Sequence, residues 1–163
     1  MNARKAFAFA GLLALNACDD SLSCTDQECT PLVIGITAPL DTLSDDTTIE
    51  LVADGEQFTI NCPFPEEENR TYACGTLGGI QGEQYTVWVD LWRDGEGEAF
   101  FSIRASNFGS SQTIGPSQLD LSLQGPDAEL FSEAITPKYE DQGEVWGPGC
   151  GTCSTASLSR TID

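Results

Sequence analysis

Histidine is absent from the chain. With it go histidine-based triads, histidine-ligated zinc and the side chain that most often serves as a general base at neutral pH. Basic residues are scarce too: Lys and Arg number 7 against 26 Asp and Glu, a formal net charge of −19. Such a surface is repelled by phosphate backbones and anionic headgroups, which excludes nucleic acid as a partner. Cations, basic proteins and neutral sugars remain compatible with it, and solubility is the plainest use of the charge. Amphipathic helical periodicity is also missing over any useful length. The stretch Gly75 to Gly82 is glycine-rich, but it has neither the spacing of a dinucleotide loop nor a P-loop lysine, and reads as a flexible connection. Past Leu15 no apolar run is long enough to span a bilayer.

What is present begins with an export pattern. Arg4 and Lys5 form a short positive region, and Ala6 to Leu15 follows as an uncharged apolar stretch. That stretch is too short for a lasting membrane helix but suits the hydrophobic region of a signal peptide. Leu15-Asn16-Ala17-Cys18 closes it. This segment resembles the bacterial lipobox, with Asn16 in place of the usual small or aliphatic residue. The resemblance implies that residues 1–17 are a lipoprotein signal peptide and that Cys18 becomes the lipidated N-terminus. A diacylglycerol on its sulfur and a further acyl chain, such as palmitate, on its amine would anchor the protein stably in a membrane of the cell envelope. Asp19 follows directly, and the choice between inner and outer membrane stays open. Residues 18–31 are polar, acidic and turn-prone, and read as the lipidated tether.

From Leu32 onward the pattern is that of short strands. Leu32 to Ala38 is rich in β-branched residues, and Thr48 to Ala53 and Gln57 to Cys62 flank Asp54-Gly55, a strong hairpin signal. Tyr85 to Trp92 and Ala99 to Ser106 alternate across the turn Asp94-Gly95-Glu96-Gly97, and Gln118 to Gln124 and Leu130 to Tyr139 follow. About seven strands at this spacing predict an all-β fold, an immunoglobulin-like β-sandwich over residues 32–153 with a polar C-terminal tail at 154–163. A jelly roll or a small barrel would use the same strands.

Six cysteines remain beyond Cys18: Cys24, Cys29, Cys62, Cys74, Cys150 and Cys153. An even number in an exported chain reads as a disulfide framework. Cys62 and Cys74 bracket an acidic loop, Pro63 to Ala73, which has Phe64 as its one apolar anchor and needs a cross-link at its base. Linking Cys24 and Cys29 to Cys150 and Cys153 would tie the tether to the end of the domain, with the pairing among these four left open. Cys150-Gly151-Thr152-Cys153 has the spacing of a thioredoxin-like redox site but no helix to depress the thiol pKa, and an oxidising envelope argues against a four-cysteine zinc site. The Cys24-x4-Cys29 spacing and the run Gly147 to Cys153 resemble small cysteine-stapled lipoproteins of soil-dwelling Gram-negative bacteria such as myxobacteria, a resemblance that carries no activity across.

The hairpin from Tyr85 to Ser106 is the most informative stretch. Tyr85, Val87, Val89 and Leu91 form a core face, which puts Trp88, Asp90 and Trp92 on the other. A loop of Asp94-Gly95-Glu96 with Gly97 as a bulge would pair Val89 with Phe101 and Asp90 with Phe100. Phe100 and Arg104 would then join the outer face, whose flat aromatics suit sugar rings or a protein partner. Against this stands burial of the same face by the C-terminal segment carrying Trp146. The expected function is a non-catalytic, membrane-anchored envelope module that is structural or binds a protein or carbohydrate, with no cofactor and no metal. The alternatives are a carboxylate-dependent glycosidase-like enzyme and a calcium-stabilised adhesion module, the latter suggested by the acids from Asp90 to Glu98.

Overall fold

The computed structural model describes residues 29–76, 79–107, 112–113, 115–144 and 151–162. Alternation decides its layers. In β1 (Leu32–Pro39), Leu32, Ile34, Ile36 and Ala38 are buried, while Val33, Gly35 and Thr37 lie half-buried on the opposite face. β2 (Thr48–Ala53) and β3 (Glu56–Asn61) are joined by Asp54 and Gly55, with φ of +47° and +90°. Two successive left-handed residues are what a tight hairpin requires, and Asp-Gly supplies them at low cost.

The remaining strands are β4 (Thr71–Cys74), β5 (Ile80–Gln81), β6 (Thr86–Arg93), β7 (Glu98–Ser106), β8 (Gln112–Thr113), β9 (Leu119–Gln124), β10 (Glu129–Ile135), β11 (Glu140–Asp141) and β12 (Thr152–Thr161). They form two sheets. The larger runs β11-β12-β1-β7-β6-β4, with β5 also against β6 and β8 against β12; the smaller runs β10-β9-β2-β3. Ile49, Leu51, Phe58, Ile60, Leu119, Leu121 and Leu123 of the smaller sheet meet Ile34, Ile36, Val89, Leu91, Phe101 and Ile103 of the larger in one continuous core. Each such side chain contributes about 1.5–3 kcal/mol by leaving water, which drives the layers together. The fold is the expected all-β, sandwich-like arrangement, with 12 strands among the described residues instead of about seven. Among those residues no helix is long and apolar enough to cross a membrane.

Three expectations change. The segment read as a polar tail from residue 154 is most of β12, which lies between β1 and β11 and runs parallel to β1, with Leu32 opposite Ala156 and Ile34 opposite Leu158. Pro63 to Ala73 is not wholly loop, because Thr71–Cys74 pairs with β6. The strand expected to reach Tyr139 ends at Ile135.

Among the described residues two disulfides staple the sandwich. Cys62–Cys74 closes the base of the acidic loop over a separation of 12 residues, and Cys29–Cys153 joins the approach to β1 to the start of β12 over 124. By the chain-entropy model these links are worth about 3 and about 5 kcal/mol. Cys18, Cys24, Cys150 and Trp146, the signal peptide and most of the tether lie outside the described residues. The two sheets are further joined at one side by Arg160 of β12, whose guanidinium makes a double contact with the Glu133 carboxylate of β10.

Candidate functional site

The β6–β7 hairpin turns at Asp94. Its backbone N–H donates to the Glu98 carbonyl at 3.0 Å, and its Oδ1 accepts from the N–H groups of Glu96 and Glu98, each at 2.9 Å. Gly97, at φ +95°, supplies the left-handed residue that closes the loop. The loop proper is therefore Gly95-Glu96-Gly97, one position later than expected. Val89 lies opposite Ile103 and Asp90 opposite Ser102, so the expected pairs of Val89 with Phe101 and Asp90 with Phe100 are corrected by two residues. A shift of two keeps every side chain on its face, whereas a shift of one would have inverted the hairpin.

The outer face accordingly carries all five expected residues. Trp92 lies directly opposite Phe100, with ring centroids 4.7 Å apart and planes inclined by 30°. Arg104 lies opposite Trp88, its guanidinium 5.9 Å from the Trp88 ring, and its Nη2 donates to Asp90 Oδ2 at 2.7 Å. The five do not share one environment. Gly79, just before β5, lies against Trp88: a Cβ on it would fall 2.5 Å from Trp88 Nε1, and Gly79 has φ +78°. Only glycine fits there, and Trp88 is half-buried. Trp92 is 47% exposed, the one large hydrophobic side chain left open among the described residues. Beside it a groove of about 260 Å³ crosses the strands, floored by Gly35, Ser102 and Ser159, walled by Trp92 and Phe100, and reaching Asp90.

A second cluster was not foreseen. Asp54 Oδ2 accepts from the Tyr85 hydroxyl at 2.6 Å and from Ser117 N–H at 3.0 Å, and Oδ1 accepts from Ser117 Oγ at 2.7 Å and Gln118 N–H at 2.8 Å. Burial alone would raise this carboxyl, but those hydrogen bonds outweigh it and hold it down at about 2. Burial, and next the bond to Asp54, push the Tyr85 hydroxyl well above its ordinary value. Two residues along, the Glu56 carboxylate accepts from the N–H groups of Glu83, Gln84 and Tyr85. Tyr139 donates its hydroxyl to the Pro116 carbonyl at 2.8 Å, bringing the segment after β10 to the same place. Asp54-Gly55 is visible in sequence as a turn, but nothing in its local pattern announces partners 31 to 64 residues away. Chemically this is a junction: a carboxylate held ionised by four donors is a poor proton donor and has few lone pairs left for a ligand.

Of the acids from Asp90 to Glu98, Asp90 is occupied by Arg104 and Asp94 by its own turn. Among the described residues no three metal-ligating side chains come together. Cys29 is bonded to Cys153, and the thioredoxin-like spacing at Cys150 falls partly outside the described residues. Compared with known proteins, the chain matches no family model, no curated protein and no solved structure.

Proposed function

We propose that the chain is an exported lipoprotein, anchored in the cell envelope through Cys18, whose sandwich is a non-catalytic binding module using the outer face of the larger sheet. The observation that carries the binding role is Trp92, a large aromatic left open to solvent above a groove while the other large apolar side chains among the described residues are covered. A flat aromatic fixed by a cross-strand partner beside an apolar groove offers a pre-ordered surface on which a ligand or partner can pack. The anchor rests on the residues around Leu15-Asn16-Ala17-Cys18 and is supported by disulfides, which persist in oxidising compartments.

The two halves of the reading fit one geometry. The Cys29–Cys153 staple sits before the start of β1, whereas Phe100 and Trp92 lie level with Thr37. At about 3.3 Å per residue, Thr37 is about 17 Å along the strand from Leu32. A module tethered at the stapled end would therefore present its aromatic groove away from the membrane.

The test is the intact mass of the protein extracted from its own membrane, with and without reductant and alkylation. The reading expects residues 18–163 plus acyl chains, with six thiols that react only after reduction. An unlipidated chain beginning elsewhere sinks the anchor.

A further inference from the structure

We infer that the groove beside Trp92 binds a neutral oligosaccharide laid across the strands, with one sugar ring stacked on the indole. This rests on reading the face as an open binding surface, and adds the class of ligand.

The wall comes first. Trp92 is held by Phe100 at 4.7 Å, so it presents a flat, pre-ordered apolar plate. Rings of that kind cover the C–H faces of a sugar while leaving its hydroxyls free, and little rotamer entropy is lost when they do so. The floor supplies the depth. Gly35 sits in the middle of β1, a strand flanked by neighbours on both sides. An interior glycine weakens a strand, and such positions recur where a ligand approaches closely. Here neither backbone nor packing demands it. Its φ lies outside the left-handed region, and an added Cβ would meet only Ser159 Oγ at 3.8 Å and the Leu158 carbonyl at 3.9 Å, both ordinary contacts. What the missing side chain does is keep the groove open between Ser102 and Ser159. The groove as a whole, from Ser159 to Asp90 and Trp92, crosses β12, β1, β7 and β6, a path of about 14 Å at the usual strand spacing, which suits a short oligosaccharide.

Charge selects among ligands. Within a chain of net charge −19, the groove holds one carboxylate, Asp90, and that is matched by Arg104 at 2.7 Å. Anions meet the field of the whole protein, and cations meet a carboxylate already paired. Hydroxyl groups need neither charge. Asp90 Oδ1 can accept from them, and Ser102 and Ser159 can donate or accept.

The experiment titrates the exported chain, disulfides formed, with neutral hexasaccharides of β-linked glucose and of β-linked N-acetylglucosamine. Tryptophan emission and calorimetry follow the titration, and acrylamide quenching of wild type against Trp92→Phe reports whether Trp92 is open. Saturable binding is expected for at least one series, weakened at least about tenfold by Trp92→Ala and by Gly35→Val, the latter with an unchanged or higher Tm. Ser102→Val fills the same floor and serves should Gly35→Val fail to fold. Open Trp92 with no binding of either sugar, or binding indifferent to the filled floor, overturns the ligand class and leaves the face to a protein partner. Shielded Trp92 means that the chain's own segment around Trp146 covers the face, and then the binding-surface reading falls as well.

Discussion

Asp54 shows how much one side chain can join. It stands at the tip of the β2–β3 hairpin in the smaller sheet, yet its carboxylate holds Tyr85 at the approach to β6 in the larger sheet and Ser117 and Gln118 at the approach to β9. The carboxyl is lowered from 3.8 to about 2 in the folded protein. A depressed acid stabilises the fold above its unfolded value and loses that contribution as pH falls from about 4 toward 2. The full shift would correspond to about 2.4 kcal/mol; Asp54 is exposed, and discounting for solvent screening leaves about 1 kcal/mol. Asp54→Asn is therefore expected to lower unfolding free energy by about 1 kcal/mol at pH 6 and by little at pH 2, measured by urea denaturation. Glu133 and Asp94 are also lowered, by Arg160 and by the Glu98 amide foremost, so only the mutant–wild-type difference isolates Asp54. A gap of equal size at both pH values would show that the carboxylate charge is not what holds the junction. At this scale the turn was legible, because Asp-Gly is a local signal. Its partners were not, because tertiary hydrogen bonds leave no periodic trace.

Strands were legible where their two faces differ in polarity. β2, β7 and β9 alternate apolar and polar residues and were placed within one residue of their ends. The β6–β7 outer face was recovered for the same reason, although the loop position was not: Asp94 and Gly95 can each begin a three-residue turn, and the choice falls to hydrogen bonds made by the Asp94 side chain. β12 failed the pattern because Ala156 and Leu158 are its only apolar residues beyond Cys153, and serine, threonine and Arg160 fill the rest. Its strand state comes from parallel pairing with β1, a partner more than a hundred residues earlier. This makes a contrast that local propensity does not. Ala156 is 7% exposed, whereas its neighbour Ser157 is exposed. Ala156→Lys should destabilise by about 3 kcal/mol through burial of an unpaired charge, while Ser157→Lys stays within about 0.5 kcal/mol. Thermal unfolding of the two variants is the check, and two equally neutral substitutions would return the segment to the status of a tail.

For the whole molecule the dominant quantity is a net charge of −19 on a chain whose described part is a sandwich held by one core and two staples. Like charges at that density repel in the folded state, and salt relieves the repulsion as the screening length falls from about 30 Å at 0.01 M to about 10 Å at 0.1 M. Tm should therefore rise with sodium chloride. Calcium is the sharper probe, because a calcium-stabilised module and a merely acidic one differ in how they respond to it. The carboxylates best placed by the fold are already engaged by protein donors: Asp54 by Tyr85, Ser117 and Gln118, Glu56 by three backbone amides, Asp90 by Arg104 and Glu133 by Arg160. A cation would have to displace those donors and pay for two or more desolvated carboxylates at once. Calcium and magnesium at equal concentration are thus expected to raise Tm by the same amount, as diffuse counterions do. A calcium increment well above that of magnesium, reversed by chelator, would mean that a specific site exists and that the adhesion-module reading, not the binding module proposed above, describes this protein.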